Sequence, residues 1–319
     1  MTAGRRHGWR ALQIAVTLGL AGLLIWLVDW VSVLRVLRSV NSWWVAAVIV
    51  LVFLERLLLN IKWQALLHSG GIEIGFLRLL RIQLAANALG TFLPSSIGVD
   101  ALRIAGLWSF GDRRHAAVAA TLLDRISSAG ATVVVSGAMV LLFAGTLMHE
   151  TVRMELLGLC VVLVLGMAFL FHPFGRGMVR RMVRMLPVRI HQRVIDIGAA
   201  GLTIAVSRRS IVVATTTSLL AVGLRVVIGK FLLLAVGVNV PLATLSFVLP
   251  VVWATTMLPI SIGGIGVQDA TYVALLGYAG IGASVAIVVS LLDHVLSRVP
   301  LLLGVLFWRD VVPVGTREA

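Results

Sequence analysis

Charged residues are scarce in this chain. Asp, Glu, Lys and Arg together make up 13% of its 319 residues, whereas 60% are hydrophobic and the mean hydropathy is +1.04. A soluble domain of this length needs a polar surface that so few charges cannot supply. Several apolar runs reach the roughly 20 residues that a helix needs to cross a bilayer. The composition therefore excludes a soluble globular domain and predicts an all-α polytopic membrane protein.

Cysteine and lysine are also rare. The single cysteine, Cys160, excludes an internal disulfide and a cysteine-based metal site. Only Lys62 and Lys230 are lysine, and arginine supplies the rest of the 27 basic residues in a chain of net charge +14. These residues lie mostly between apolar runs, which is the distribution that the positive-inside rule produces. We therefore predict no nucleic-acid partner.

The apolar runs predict about six full transmembrane helices. The first run is longer than the apolar core of a signal peptide, so we expect it to be a retained helix. The six predicted crossings lie near Ala11–Val28, Trp43–Leu59, Ala116–Leu147, Leu156–Phe171, Ile211–Val238 and Ala283–Trp308.

Two further apolar stretches, Leu77–Leu107 and Leu242–Tyr278, are interrupted by proline and glycine. The first contains Pro94, and the second contains Pro250, Pro259 and a glycine cluster. Proline and glycine break helices, and freed backbone is tolerated at membrane depth only where protein or a wet cavity covers it. Each stretch therefore predicts a Pro/Gly-broken re-entrant hairpin.

The distribution of arginine predicts the topology. The segment 172–209 carries eight arginines against one acid, Asp196, which indicates a cytoplasmic segment. Counting crossings outward from it places both termini in the cytoplasm of a bacterial-type inner membrane. The portion Met178–Leu186 mixes arginine with apolar residues, which is typical either of a helix in the membrane interface or of an ordinary basic loop.

A short phrase occurs twice, as LPSSIGVDA at Leu93–Ala101 and as LPISIGGIGVQDA at Leu258–Ala270. Three predicted crossings separate the two copies, and an odd number reverses the orientation in the membrane. This arrangement indicates an inverted repeat with pseudo-halves of about 1–150 and 151–319 within one membrane domain, 1–319. Chance similarity of two short phrases is the alternative.

Small residues around the two breaks form the first part of the predicted binding site. A helix that starts at a break leaves backbone N–H groups unpaired, and these favour an anion such as a phosphate or lipid headgroup. The alternative is close helix packing, which favours the same residues. The small residues concerned are Ser95, Ser96, Gly98, Ser261, Gly263, Gly264 and Gly266.

Ionisable residues within the apolar regions form the second part. Burying a charge at the bilayer centre is costly, so such residues usually face a cavity or a partner. We predict that four arginines bind an anionic headgroup and that four aspartates orient them, with Asn87 and Gln268 nearby. Pairing of these charges with each other alone is the alternative. The eight charged residues are Arg103, Arg125, Arg225, Arg298, Asp100, Asp124, Asp269 and Asp293.

Two further basic residues, Arg56 and Lys62, are predicted to extend towards the cytoplasmic interface. His294 is predicted to be a hydrogen-bonded helix contact, with proton transfer as the alternative. No pair of aspartates has the spacing of a metal-binding pair, and no nucleotide-binding or hydrolase motif occurs. We therefore predict no catalytic residue, no metal and no cofactor.

These residues resemble the lysylphosphatidylglycerol synthase transmembrane-region family, also called the flippase-like domain family. Asn87, LPSSIGVDALR at Leu93–Arg103, LLDR at Leu122–Arg125 and LPISIGGIGVQDA at Leu258–Ala270 carry the resemblance. The family commonly has glutamate where Asp269 stands, often after a basic residue, whereas Gln268 precedes it here. The chain is expected to be a stand-alone member without the soluble aminoacyl-transferring domain of two-domain relatives.

The resemblance implies a lipid translocase-like protein that binds an anionic or polyprenyl-linked lipid. Hopanoid pathways belong to the same set of candidates. One alternative is a membrane enzyme, or a subunit of one, with Asp124, Asp269 or Asp293 as its acid–base group. Another is a scaffold that recruits a soluble lipid-modifying enzyme through its arginine-rich segment.

Overall fold

The computed structural model describes residues 30–90, 96–147, 188–257 and 264–311, and all regular secondary structure in these ranges is helical. Two short 3₁₀ turns, Trp108–Arg113 and Trp308–Asp310, join or follow the α-helices. The helices are α1 Trp30–Arg38, α2 Ser42–Ser69, α3 Phe76–Gly90, α4 Ser96–Ala105, α5 Arg114–Leu147, α6 Val188–Val206, α7 Arg208–Ala235, α8 Leu242–Met257, α9 Val267–Tyr278, α10 Ala283–Leu296 and α11 Val299–Val305.

Four stretches are long and apolar enough to cross a membrane, which confirms an all-helical, multi-pass membrane protein. They correspond to four of the six predicted crossings. The other two, Ala11–Val28 and Leu156–Phe171, lie outside the described residues, so the total number of crossings stays a prediction. The four stretches are Ser42–Ser69, Arg114–Ala138, Arg208–Ala235 and Ala283–Val305.

The first interrupted stretch consists of two helices that pack closely. Helix α3 ends at Gly90 and α4 begins at Ser96. A Cβ atom on Gly90 would lie 2.3 Å from Val99 Cγ2 and 3.2 Å from Val99 Cα, so only glycine permits this contact. That this pair of helices enters and leaves the membrane on the same side stays a prediction.

The second interrupted stretch differs from the expectation at Pro250. Helix α8 continues through this residue to Met257, so Pro250 does not end the helix. The proline ring removes one N–H donor from the helix interior, but the flanking residues keep helical geometry. Tertiary packing favours the continuous helix, since Leu249 and Val252 on either side are fully buried.

The last apolar stretch, predicted as a single crossing, is two helices in sequence. Helix α10 ends at Leu296, and α11 begins at Val299 with Pro300 in its first turn. Proline is favoured in the first turn because its missing N–H has no partner there anyway. The interruption leaves the carbonyl groups at the end of α10 available to side chains.

Close contacts divide the chain into two compact units. Unit 1 comprises Met1–Leu57, Leu80–Gly106 and Gly223–Ala319, and in it α9 packs on α8 and α10, while α10 packs on α1. Unit 2 comprises Leu58–Leu79 and Leu107–Val222, and in it α5 packs on α6. The inverted repeat of the two pseudo-halves stays a prediction.

Helix α11 approaches the backbone of α3 at Gly304. A Cβ atom on Gly304 would lie 2.2 Å from the carbonyl oxygen of Leu84 and 3.0 Å from the amide nitrogen of Ala85. Because these are backbone atoms, a side-chain rotation cannot relieve the overlap. The contact sets how closely the two helices pack.

We expect Gly304→Ala to lower the free energy of unfolding by about 1–3 kcal/mol, the usual cost of overpacking. Denaturant unfolding of the purified protein in detergent measures this change. Gly223→Ala is the matched control, because Gly223 is also helical and a Cβ atom there meets nothing within 4 Å. Equal stability of the two variants would contradict the close packing at Gly304.

Candidate functional site

Arg225 lies near the middle of α7 and binds two carboxylates from two other helices. Its Nε donates to Glu55 Oε1 of α2 at 2.7 Å, and its Nη1 donates to Asp293 Oδ1 of α10 at 3.2 Å. Nη1 also donates to Ser297 Oγ at 3.0 Å, and the guanidinium lies 5.7 Å from the ring centroid of Trp253. One arginine therefore connects three helices within unit 1.

Asp293 accepts hydrogen bonds at both of its oxygens. Oδ1 accepts from Arg225 and from Ser297 Oγ at 3.0 Å. Oδ2 accepts from Gln268 Nε2 at 3.0 Å and from the Tyr272 hydroxyl at 3.1 Å, both on α9. Four donors thus satisfy the two oxygens of a carboxylate that is only 3% exposed. These bonds also hold α9 against α10.

Asp269 caps the start of α9. Its Oδ2 accepts from the Gly266 N–H at 2.8 Å, while Oδ1 accepts from Ser290 Oγ at 2.5 Å and lies 3.2 Å from His294 Nε2. Gly264 and Gly266 both have positive φ angles, of 81° and 83°, which favour glycine. The Gly266 N–H, which was predicted to be available to an anionic ligand, thus already donates to the Asp269 carboxylate.

Two more arginines contact the end of α10. Arg298 Nη1 donates to the carbonyl oxygen of His294 at 2.6 Å, and Arg56 Nη2 of α2 donates to the carbonyl oxygen of Ser297 at 3.4 Å. Cations stabilise the C-terminal end of a helix, where carbonyl groups lack intrahelical partners. Both contacts depend on the interruption between α10 and α11.

These residues form two neighbouring hydrogen-bonded groups, one around Asp293 and one around Asp269, which we together call the Arg225 network. Its three arginines and three carboxylates balance in charge when His294 is neutral. Such balance is expected for charges buried in an apolar domain. The members are Glu55, Arg56, Arg225, Gln268, Asp269, Tyr272, Ser290, Asp293, His294, Ser297 and Arg298.

A second buried ion pair lies in unit 2. Lys62 Nζ lies 2.8 Å from Asp124 Oδ1 and also donates to the Asp124 carbonyl oxygen at 3.2 Å and to Ser218 Oγ at 3.3 Å. The expectation that Lys62 extends to the interface is wrong, because its side chain is 0% exposed. The Lys62 ammonium is satisfied by the buried Asp124 carboxylate, whereas the sequence analysis expected water at the membrane interface to satisfy it.

The structure brings five of the predicted site residues into the Arg225 network and places others elsewhere. Asp100 and Arg103 form an ion pair of 3.6 Å on α4, Gly98 lies on the same helix, and Asn87 donates to the Gln83 carbonyl oxygen on α3. Asp124 pairs with Lys62 and belongs to unit 2, as does Arg125. The five residues in the network are Arg225, Gln268, Asp269, Asp293 and Arg298.

Three predicted site residues, Ser95, Ser261 and Gly263, lie outside the described residues, and Ser96 is described only as the first residue of α4. Gly264 and Gly266 precede α9. Ligand binding by all the predicted site residues stays a prediction.

Glu55 is a network residue that the sequence analysis overlooked. An acid in the middle of the apolar helix α2 is the same kind of signal as Asp293 in α10. No sequence pattern could have identified the three hydroxyl residues of the network, because uncharged hydroxyl residues are common in apolar helices. Only the fold places them beside carboxylates, and they are Tyr272, Ser290 and Ser297. Within the described ranges, no group of three or more His, Cys, Asp or Glu side chains is arranged to hold a metal ion.

The helical architecture and the buried charge network define a polytopic membrane domain with a polar interior. The chain belongs to the family described as the lysylphosphatidylglycerol synthase TM region, whose model matches residues 10–304. No curated protein and no solved structure matches the chain.

We expect Arg225→Gln alone to destabilise the protein by about 3–5 kcal/mol, because it leaves Glu55 and Asp293 buried without their cation. Adding Glu55→Gln should recover part of that loss, so the double variant loses less than the sum of the single variants. Free energies of unfolding in detergent measure this cycle. Arg38→Gln, at an exposed position, controls for loss of charge, and strictly additive effects would contradict the ion pair.

Proposed function

We propose that this protein is a flippase-like membrane protein that binds an anionic or polyisoprenoid lipid headgroup and helps it cross the bilayer. The observation that carries the proposal is the Arg225 network, a balanced set of buried charges inside a membrane domain. Ionisable residues within membrane segments most often mark substrate pathways or ligand sites. The hydrocarbon chains of the lipid would remain in the bilayer while the headgroup contacts the network.

The position of the network supports this proposal. Gln268 and Asp269 come from the second interrupted stretch, and they contact Asp293 and Ser290 of the last apolar stretch. Interrupted helices near the midplane are the usual place for substrate sites in transporters. A polar group at this position could replace part of the hydration shell that a lipid headgroup loses on entering the membrane.

The proposed movement depends on the predicted topology. The two re-entrant hairpins would enter the membrane from opposite sides, and one pseudo-half would rock against the other to expose the site alternately. We place the protein in a bacterial-type inner membrane with both termini and the basic segment 172–209 in the cytoplasm. Anionic lipids on that side would contact the arginines of the segment.

The proposed lipid classes follow from the family and from the arginines. The family name refers to the synthase of lysylphosphatidylglycerol, which is a modified phospholipid. Arginine binds phosphate through paired N–H groups, which suits both phospholipid and polyprenyl-phosphate headgroups. A soluble lipid-modifying enzyme is the proposed protein partner, because a translocase needs a pathway that supplies its lipid.

We expect the full chain, reconstituted in phosphatidylcholine vesicles, to accelerate leaflet exchange of a fluorescent phosphatidylglycerol measured by dithionite quenching. Arg298→Gln should slow the exchange by about tenfold, because it removes the charge-assisted hydrogen bond to the His294 carbonyl that holds the end of α10 beside the network, and such a bond is worth about 1.5–3 kcal/mol. Arg309→Gln is the matched control, since Arg309 is exposed and stacks on Trp308.

Two results would contradict the proposal. Exchange in protein-containing vesicles no faster than in empty vesicles would remove the translocase function. A chemical change in the labelled lipid without exchange would indicate an enzyme instead, and mass spectrometry of the extracted lipids detects it.

A further inference from the structure

Arg56 is the least satisfied cation of the Arg225 network. It lies near the middle of the 28-residue helix α2. Its one hydrogen bond to a described residue is the 3.4 Å contact with the Ser297 carbonyl oxygen, although a guanidinium has five N–H donors. Its Nε is buried without a hydrogen-bond partner, and none of the ion pairs among the described residues involves Arg56.

Arg225 differs from Arg56 in each of these respects. It has two carboxylate partners and a hydroxyl partner at 2.7–3.2 Å, so its charge is already neutralised. The neighbour of Arg56 in the sequence, Glu55, directs its Oε1 to Arg225. Glu55 therefore supplies its close ion pair to the arginine on α7 and not to the arginine beside it on α2.

The two guanidinium groups meet at Ser297. Arg225 Nη1 donates to the Ser297 hydroxyl at 3.0 Å, and Arg56 Nη2 donates to the Ser297 carbonyl at 3.4 Å. A guanidinium inside a membrane helix is costly when it has no counter-ion within ion-pair distance. An anion that contacts Arg56 would remove this cost and would reduce the repulsion between the two arginines.

The chemistry of the ligand follows from the donors that remain. Nε and the terminal nitrogens of a guanidinium lie in one plane and present parallel N–H groups, which match two oxygens of a phosphate. The 3.4 Å bond to Ser297 lies beyond the usual 2.7–3.2 Å range, so a phosphate oxygen could replace it at small cost. Arg56 thus offers donors for a phosphate group without the loss of any ion pair.

We propose that Arg56 is the arginine that contacts the phosphate of the ligand, and that Arg225 holds the helices in place beside it. This inference rests on the proposed function, and it assigns the binding role to a residue predicted only to extend towards the interface. Arg225 serves the site by retaining Glu55 and Asp293, which would otherwise compete for Arg56.

Isothermal titration calorimetry of the full chain in detergent tests this inference with dioctanoyl phosphatidylglycerol, dioctanoyl phosphatidylcholine and inorganic phosphate as separate probes. We expect the phosphatidylglycerol to bind the wild-type protein more tightly than the phosphatidylcholine. Arg56→Gln should weaken phosphatidylglycerol binding at least about tenfold, which is the loss of a charge-assisted hydrogen bond. Arg56→Lys should lose less, because it keeps the charge but not the paired donors.

Arg38→Gln is the matched control, because it removes an exposed arginine outside the network and should leave phosphatidylglycerol affinity unchanged. Thermal unfolding of each variant separates loss of binding from loss of folding. If Arg56→Gln does not fold, Arg56→Lys decides the matter, because reduced affinity at unchanged melting temperature still supports the proposal.

Wild-type affinity for phosphatidylglycerol in Arg56→Gln would overturn this inference and leave the proposed function intact. No binding of phosphatidylglycerol by the wild-type protein would overturn both. Inorganic phosphate that binds as tightly as the lipid, with the same dependence on Arg56, would support the phosphate site and identify free phosphate as its ligand.

Discussion

The bridge from Arg225 to Glu55 and Asp293 is the interaction on which the site depends. Each of these three charges would be costly alone in an apolar domain, and their pairing reduces that cost. The bridge therefore fixes the positions of α2, α7 and α10 relative to one another at Arg225. Asp293 also accepts hydrogen bonds from Gln268 and Tyr272 of α9, so the two ion pairs of Arg225 organise four helices.

The same pairing limits what each member of the network can do for a ligand. A carboxylate or guanidinium that is already paired must break a buried contact before it can bind another group, and that cost is high. Only a member with unused donors can contact a ligand while the framework stays intact. This distinction separates residues that hold the site from the residue that we propose to bind.

The sequence was sufficient to predict the helical membrane class, because long apolar runs have few other interpretations. It also singled out Arg225, Asp269 and Asp293 as candidate site residues, because charges within apolar segments are unusual. It could not predict the pairing of Asp124 with Lys62, because that contact joins helices far apart in the chain. Spacing along one helix reports only local neighbours, such as Asp100 and Arg103.

Other differences have equally physical reasons. Pro250 was predicted to interrupt a helix, but neighbouring buried residues outweigh the one hydrogen bond that proline removes. The capping of α9 by Asp269 was not foreseen, because a carboxylate three residues into a helix can serve its own backbone as well as a ligand. Both outcomes depend on packing that a linear pattern does not encode.

The most direct test of this account is native mass spectrometry of the full chain purified from its membrane in mild detergent. The account predicts that the protein retains a phosphate-bearing anionic or polyprenyl-linked lipid and that Arg56→Gln loses it. Retention of only zwitterionic lipids, or equal retention of the same anionic lipid by the variant, would contradict it.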